Sequence, residues 1–407
     1  MGVENTVLPD LFRTEYSKLV AVLCRTFGLS NIQIAEDIVS DTFLLASETW
    51  GKKGIPDNQA GWLYTVAKNR ARDYVRREVV RLEKVEPYVK SIQEKTEIPE
   101  VDLSIDNIRD SQLRMIFAVC HPILDKKSQI ILALRVLCGF AVNEIASALL
   151  ITKDTVNKRL YRAKKNLRDN QVEMVFPPAQ ELPRRLQTVL KTLYLLFNEG
   201  YYSSSDQATV RKELCLEAMR LTLLLAHNEH VKTPEADALL ALMCFHASRF
   251  EARNTEHADI VLYADQDRDL WETGLIQQGE HYMNRAATGM KLSIYHLEAA
   301  IAYWHTQEEG NEKWENILQL YNQLLQISYA PMAALNRTYA LAKARSVKEG
   351  LAEALNLALD DNHLYHCLLA ELYEGASHSR DHLIRALELC TTPHEKALIQ
   401  KKIADLT

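Results

Sequence analysis

Apolar residues recur at spacings of three and four along almost the entire chain, whereas alternating β-branched runs and Asn-Gly or Asp-Gly hairpin turns are scarce. A chain patterned in this way buries its apolar surface by packing helix on helix, so an all-α fold is expected. The 13 Gly and 11 Pro among 407 residues punctuate that pattern rather than interrupt it. Pro56 separates two helical blocks, Pro87 and Pro99 lie in a polar stretch, and Pro177, Pro178 and Pro183 form a cluster. Roughly two to four domains are expected at this length. Residues 1–83 read as a first helical domain, 84–110 as a charged, proline-containing linker, and 111–172 as a second compact helical domain. Residues 173–407 read as a long amphipathic helical extension, broken by polar loops near 228–235, 253–258, 308–313 and 375–380. Within it LEAAIAYWH (297–305), LNRTYALAKA (335–344) and LLAELYEGA (368–376) recur near the tetratricopeptide period of about 34 residues. A tetratricopeptide-like array is therefore expected from about residue 286, with ordinary antiparallel helices of chance Ala spacing as the alternative.

The sharpest chemical signal is Phe140–Leu167, FAVNEIASALLITKDTVNKRLYRAKKNL, which has the pattern of a helix-turn-helix. Val142, Ile145, Ala146 and Leu149 mark the inward face of a first helix, and Val156, Leu160, Ala163 and Leu167 that of a second. Thr152 offers an N-cap oxygen, and Asp154 places a negative charge in the first turn, where the helix dipole favours it. The remaining faces carry Lys153, Lys158, Arg159, Arg162, Lys164, Lys165 and Arg168. A helix that hides one apolar stripe and crowds its other faces with cations suits phosphates and base edges. A solvated amphipathic helix in an all-helical core is the bland alternative.

Charge divides along the chain. Residues 1–170 hold 26 Lys+Arg against 22 Asp+Glu, a net of +4, and the remainder holds 22 against 32, a net of −10. A basic nucleic-acid reader joined to a separate acidic module fits this split. The seven cysteines are scattered without a CxxC pair, as expected of reduced, mostly buried thiols. There is no signal-peptide pattern, and no apolar run approaches the roughly 18 residues of a membrane span, so a cytoplasmic protein is expected.

Two further segments constrain function. Ala35–Trp50 (AEDIVSDTFLLASETW) is amphipathic, with Ile38, Phe43, Leu44 and Leu45 apolar and Glu36, Asp37, Asp41 and Glu48 acidic. An acidic face repels phosphates and points to a protein partner. Trp62–Lys84 reverses the character: Lys68, Arg70, Arg72, Arg76, Arg77, Arg81 and Lys84 are interleaved with Trp62, Tyr64 and Tyr74. Cations with aromatics suit melted DNA, charge for the backbone and ring faces for unstacked bases. Core packing of Trp62 and Tyr64 is the plain alternative.

With these segments in hand, residues 10–83 resemble region two of the extracytoplasmic-function sigma factors of the sigma-70 family, on AEDIVSDTFLLASETW followed by PDNQAGWLYTVAKNRARDYVRR. Residues 112–168 resemble their region four, from QLRMIFAVCHPILDKKSQIILALRVLCGF through the helix-turn-helix. The resemblance narrows to the members with a tetratricopeptide-like C-terminal extension, on Cys120-His121-Pro122, TLYLLFNEGYYSS (192–204), LCLEAMRLTLLLA (214–226), ALLALMCFHASRFEAR (238–253), DQDRDLW (265–271) and ALNRTYALA (334–342). It implies core RNA polymerase as partner, through the β′ clamp coiled coil and the β flap, together with promoter DNA. Glu36, Asp37 and Asp41 would face polymerase. Asn58, Trp62, Lys68, Asn69, Arg72, Asp73 and Arg76 would read and melt the −10 element, and Lys153, Thr155, Lys158, Arg159 and Arg162 would read the −35 element.

The resemblance implies no catalytic residue and no cofactor. His378/His382 and His227/His230 lack the companion ligands of a metal enzyme, and Cys120-His121 stands alone, so no metal site is expected. The FNEGY run (197–201) and Asp265-Gln266-Asp267-Arg268 are read first as structural, with Asp and Asn capping helices and Arg268 paired to a carboxylate. A regulatory protein or ligand at the acidic C-terminal half is the second reading, with that half holding region two or four until a signal acts. A one-component helix-turn-helix regulator would explain the basic helix and the acidic module. It leaves the acidic helix and the aromatic-basic block unexplained.

Overall fold

The computed structural model describes residues 4–85, 101–201, 208–253, 261, 263–288, 291–373 and 375–406, and all regular structure among them is helical. The chain divides into two units, Met1–Leu196 and Phe197–Thr407.

In the first unit α1 (Glu4–Phe27) packs on α2 (Ile32–Lys53) and α3 (Gln59–Val85). Leu63, Ala67 and Ala71 form the buried stripe of α3, and the small alanines allow its backbone to come close. A helix α4 (Ile105–Val119) also packs against α1. It starts inside the stretch read as linker, because Ser104 caps it by accepting from the Asn107 N–H while Val101 and Ile108 are buried. The rest of that stretch, residues 86–100, lies outside the described residues. Then come α5 (Lys126–Val136), α6 (Val142–Ala148), α7 (Lys153–Asp169) and the start of α8 (Leu182–Tyr201). Asp125 caps α5, accepting from the Ser128 N–H at 3.1 Å and the Ser128 hydroxyl at 2.5 Å. The first part of α8 is held by Arg185, whose guanidinium donates to the Phe117 carbonyl, and by Thr192, which donates to Gln129 Oε1.

The second unit contains α9 (Ala208–Ala226), α10 (Pro234–Ala247), the single turn α11 (Phe250–Arg253) and α12 (Thr273–Ala286). Every residue of α10 from Ala236 to Phe245 is buried, as expected of a helix that is apolar all round. It is packed by α9, α12 and the following α13 (Ile294–Thr306). Its one buried carboxylate, Asp237, meets Arg285 at 3.1 Å. From α13 onward helices alternate as pairs: α13 with α14 (Asn311–Ile327), α15 (Pro331–Ala344) with α16 (Val347–Asn356), and α17 (His363–Leu372) with α18 (Ala376–Leu389), closed by α19 (Pro393–Asp405). The first two repeated segments fall on α13 and α15 and the third begins on α17, the first helix of each pair. Gly350 shows how closely a pair packs, since a Cβ there would sit 2.5 Å from the Ala342 Cβ. The polar break expected at 375–380 is shorter, because α18 already begins at Ala376.

All seven thiols are free, and six are buried, with Cys367 intermediate. Among the described residues no helix is long and apolar enough to cross a membrane.

Candidate nucleic-acid interface

Helices α6 and α7 meet in a tight turn in which Leu150, at φ +51°, takes the left-handed conformation. Leu150 donates to the Ser147 carbonyl and Ile151 to that of Ala146, which closes α6 without a glycine. Thr152 then caps α7, accepting from the Thr155 N–H at 3.2 Å. The buried residues of α7 are Val156, Leu160, Ala163 and Leu167, the stripe expected from the spacing. On α6 Ile145 and Ala146 are buried, Val142 and Leu149 are half-buried, and Ala148 adds a contact the pattern did not include.

Lys153, Lys158, Arg162, Lys165 and Arg168 are exposed, and Thr155 and Arg159 are half-exposed. Of the residues expected at the −35 element, Arg159 also faces the α5 cap, 3.8 Å from Asp125. The Ser128 hydrogen bond holds the Asp125 carboxyl below its ordinary range, with the Arg159 charge adding to the effect.

The second candidate surface lies on α3 and the turn before it. Asn58 accepts from the Gly61 N–H at 2.8 Å and so fixes the start of α3. A Cβ on Gly61 would lie only 2.6 Å from the Asn58 side chain, so this turn needs glycine there. Asn58, Asn69, Asp73 and Arg76 are exposed, while Trp62, Lys68 and Arg72 are half-buried. Trp62 meets Trp50 edge-on at 5.4 Å between ring centroids and Tyr74 packs on Phe27, so both rings serve the fold on one side. Tyr64 is taken up inside, donating to Glu15 at 2.5 Å, and its hydroxyl is pushed up by burial and by that carboxylate.

On α2 the three acids expected to face polymerase separate. Asp37 and Asp41 are exposed with Glu48, and Asp41 pairs with Arg70 at 3.1 Å. Leu44, expected among the inward residues, lies on this open face and is 59% exposed. Ala35, Val39, Thr42 and Ala46 complete the inward stripe instead.

Glu36 points the other way and is 3% exposed. Its carboxylate takes an ion pair from Arg135 of α5 at 3.1 Å, another from Lys164 of α7, and a hydrogen bond from the Tyr16 hydroxyl at 3.3 Å. Lys164 also donates to Gln33 at 3.2 Å, and Arg135 donates to the Phe140 carbonyl and lies over the Tyr16 ring. A second bridge joins Arg13 of α1 to Glu144 of α6 at 2.7 Å. Gly139, at φ +71°, lets the α5–α6 turn lie on Tyr16. Burial pushes the Tyr16 hydroxyl and the neighbouring Cys24 thiol up, and Glu36 pushes both further. The basic helix α7 thus packs on the short Leu29–Asn31 turn ahead of α2 and reaches α2 through Lys164, one of its cations being committed to a buried carboxylate. Spacing could not reveal this pairing, because Glu36 and Lys164 stand 128 residues apart.

The compact motifs of the C-terminal half have structural partners. Phe197 and Tyr201 stack at 5.7 Å between centroids, and Asp267 caps a short turn by accepting from the Asp269 N–H. Arg268 donates to the Gln307 carbonyl at 2.9 Å and lies over Trp271, rather than meeting a carboxylate.

Residues 11–80 match Sigma-70 region 2, residues 114–167 match Sigma-70, region 4, and residues 185–287 match a family of unknown function (DUF6596). An uncharacterized protein of Rhizobium meliloti (strain 1021) is 32% identical over 384 residues, covering 92% of this chain and 90% of that protein. No solved structure matches.

Proposed function

We propose, from its Sigma-70 region 2 and region 4 domains, that this chain is an initiation factor of the extracytoplasmic-function type whose C-terminal helical domain regulates it. Sigma-70 domains bind core RNA polymerase and promoter DNA and are not enzymatic. In the proposed division of labour Asp37 and Asp41 of α2 meet the β′ clamp coiled coil, and region four meets the β flap. Asn58, Trp62, Lys68, Asn69, Arg72, Asp73 and Arg76 take the −10 element. Lys153, Thr155, Lys158, Arg159 and Arg162 take the −35 element.

The observation that carries this reading is α7. Its apolar stripe is fully consumed by packing, and its exposed faces carry Lys153, Lys158, Arg162, Lys165 and Arg168, beside Asp154, Asp169 and the exposed ring of Tyr161. The contact of α7 with α2 adds a condition. Lys164 and Glu36 engage one another here, so the observed arrangement is proposed as a resting state that opens when polymerase and promoter are bound.

Reconstituted transcription tests the assignment. Full-length protein carrying Arg159→Glu and Arg162→Glu should co-elute with core polymerase as the unaltered protein does. Its promoter-specific initiation should fall by at least about tenfold, since a good base or phosphate contact contributes about 1–3 kcal/mol. Unchanged promoter use would remove α7 from −35 reading. Failure of the unaltered protein to bind core polymerase would instead favour a one-component regulator.

A further inference from the structure

We propose that His363, Cys390 and Glu395 form a divalent metal site of the zinc class that ties together the last three helices of the second unit. His363 Nε2 lies 3.3 Å from Glu395 Oε2, Cys390 Sγ lies 3.8 Å from the same oxygen, and the three ligand atoms all fall within 4.8 Å of one another. Zinc holds nitrogen at about 2.0–2.1 Å, carboxylate oxygen at about 2.0–2.2 Å and thiolate sulfur at about 2.3 Å. At tetrahedral angles those bonds place N and O about 3.4 Å apart and S and O about 3.6 Å apart. The spacings in the protein match that arrangement closely enough that side-chain rotation alone would complete it.

Each ligand is placed by a different element. His363 is the first residue of α17, directly after the cap Asn362, which accepts from the Leu364 and Tyr365 N–H groups. Cys390 ends α18 and is buried over the cluster of Leu383, Ala386 and Ile399. Glu395 is in the first turn of α19, where Thr392 donates to it. That Thr392–Glu395 pair by itself is an ordinary helix-start device. It does not explain why the His363 ring turns its Nε2 toward the same oxygen. That nitrogen is shut off from solvent and, though it faces Glu395 Oε2, makes no aligned hydrogen bond. A metal ion would satisfy it.

The donor set also selects the ion class. One thiolate, one imidazole and one carboxylate suit zinc and cobalt and disfavour calcium or magnesium, which take oxygen ligands. Binding releases the Cys390 thiol proton to solvent and requires the His363 ring to carry its proton on Nδ1, away from the metal. Thr392 Oγ1 lies 3.6 Å from Cys390 Sγ as well as against Glu395, so it is placed to orient two ligands at once. Three protein ligands leave the fourth position to water or a small ligand.

The test uses the full chain, stripped with a chelator and titrated with Co2+. The expected result is a thiolate-to-cobalt charge-transfer band and the intense d–d bands of a four-coordinate site, saturating at one equivalent and displaced by Zn2+. Cys390→Ser should abolish the charge-transfer band, and His363→Gln should abolish the four-coordinate d–d spectrum. Thr392→Val should weaken zinc binding by about 10–100-fold against a chromophoric chelator, while helical circular dichroism stays intact. Cys367→Ala should leave the spectrum unchanged. No charge-transfer band at one equivalent, or a band lost with Cys367→Ala and kept in Cys390→Ser, overturns the proposal.

Discussion

Glu36 lies on an acidic helix and still turns its carboxylate into the first unit, where Arg135 and Lys164 reach it from two other helices. Breaking a buried ion pair costs about 3–5 kcal/mol when one partner is removed. Arg135 and Lys164 keep 21% and 17% side-chain exposure, so Glu36→Gln should cost less, about 2–3 kcal/mol, read as a lower urea midpoint. The same substitution should free Lys164 and raise the affinity of the polymerase-free protein for DNA. Weaker DNA binding by Glu36→Gln would show that α7 does not rest on α2 in solution. A single-residue prediction also concerns His305, which burial holds down to about 3, helped by Arg249 and Lys313 and opposed by Glu309. The unfolded chain therefore takes up this proton first. Stability from the neutral ring is complete above about pH 6.5 and is lost as pH falls toward the folded value, by about 1.4 kcal/mol per pH unit. Urea midpoints at pH 7.5 and pH 5.5 should differ in that direction, and His305→Gln should reduce the difference, the rest coming from His246, which burial also holds down. Residue by residue, the sequence was least informative where a partner was remote. Asp37 and Asp41 are as open as their pattern suggests, whereas Glu36 is indistinguishable from them until α7 is folded back.

Among the helices, α7 was the most legible. Four apolar residues in phase, a Thr cap and an acid in the first turn all agree, and each is observed. Leu160→Ala should cost about 2–5 kcal/mol through the cavity it leaves, with promoter binding falling in step with the loss of folded protein. The helix α2 is less legible, because its period allows either Leu44 or Ala46 to face inward. The smaller residue went in, leaving Leu44 on the open face. In the paired helices the close contact is set by Gly350 and Ala342. Gly350→Ala puts its Cβ into the Ala342 side chain, so destabilisation of about 1–3 kcal/mol from overpacking should outweigh the gain in helix propensity of about 1 kcal/mol. A raised urea midpoint for Gly350→Ala would show that α15 and α16 are not so tightly apposed. The start of α4 at Ile105 was hidden because its cap, Ser104, sits in a run too charged to show helical period.

The molecule combines Sigma-70 region 2 and region 4 helices in the first unit with an acidic second unit whose regular structure, among the described residues, is helical. Its all-α class and the phase of the late repeats were visible in the sequence. The folding-back of α7 and the convergence of His363, Cys390 and Glu395 were not, because both depend on contacts between distant segments. The first unit continues past the helix-turn-helix: Arg185 and Thr192 of α8 hold Phe117 and Gln129. A chain ending at Asn170 loses those contacts and should melt lower than one ending at Leu196. If the second unit inhibits, the chain ending at Leu196 should initiate transcription more strongly than the full-length protein. Equal or weaker initiation would assign the second unit a required, activating role.

The bridge between Lys164 and Glu36 has one more consequence, because both partners are carried by the same polypeptide. An inhibitor made as a separate protein is diluted when its target is overproduced, and its hold depends on the ratio of the two. A lock within one chain sees a fixed effective concentration set only by the tether. The fraction of open molecules is then the same in a cell holding ten copies as in one holding a thousand. Raising expression would multiply output in proportion until core polymerase becomes limiting, with no inhibitor to titrate first.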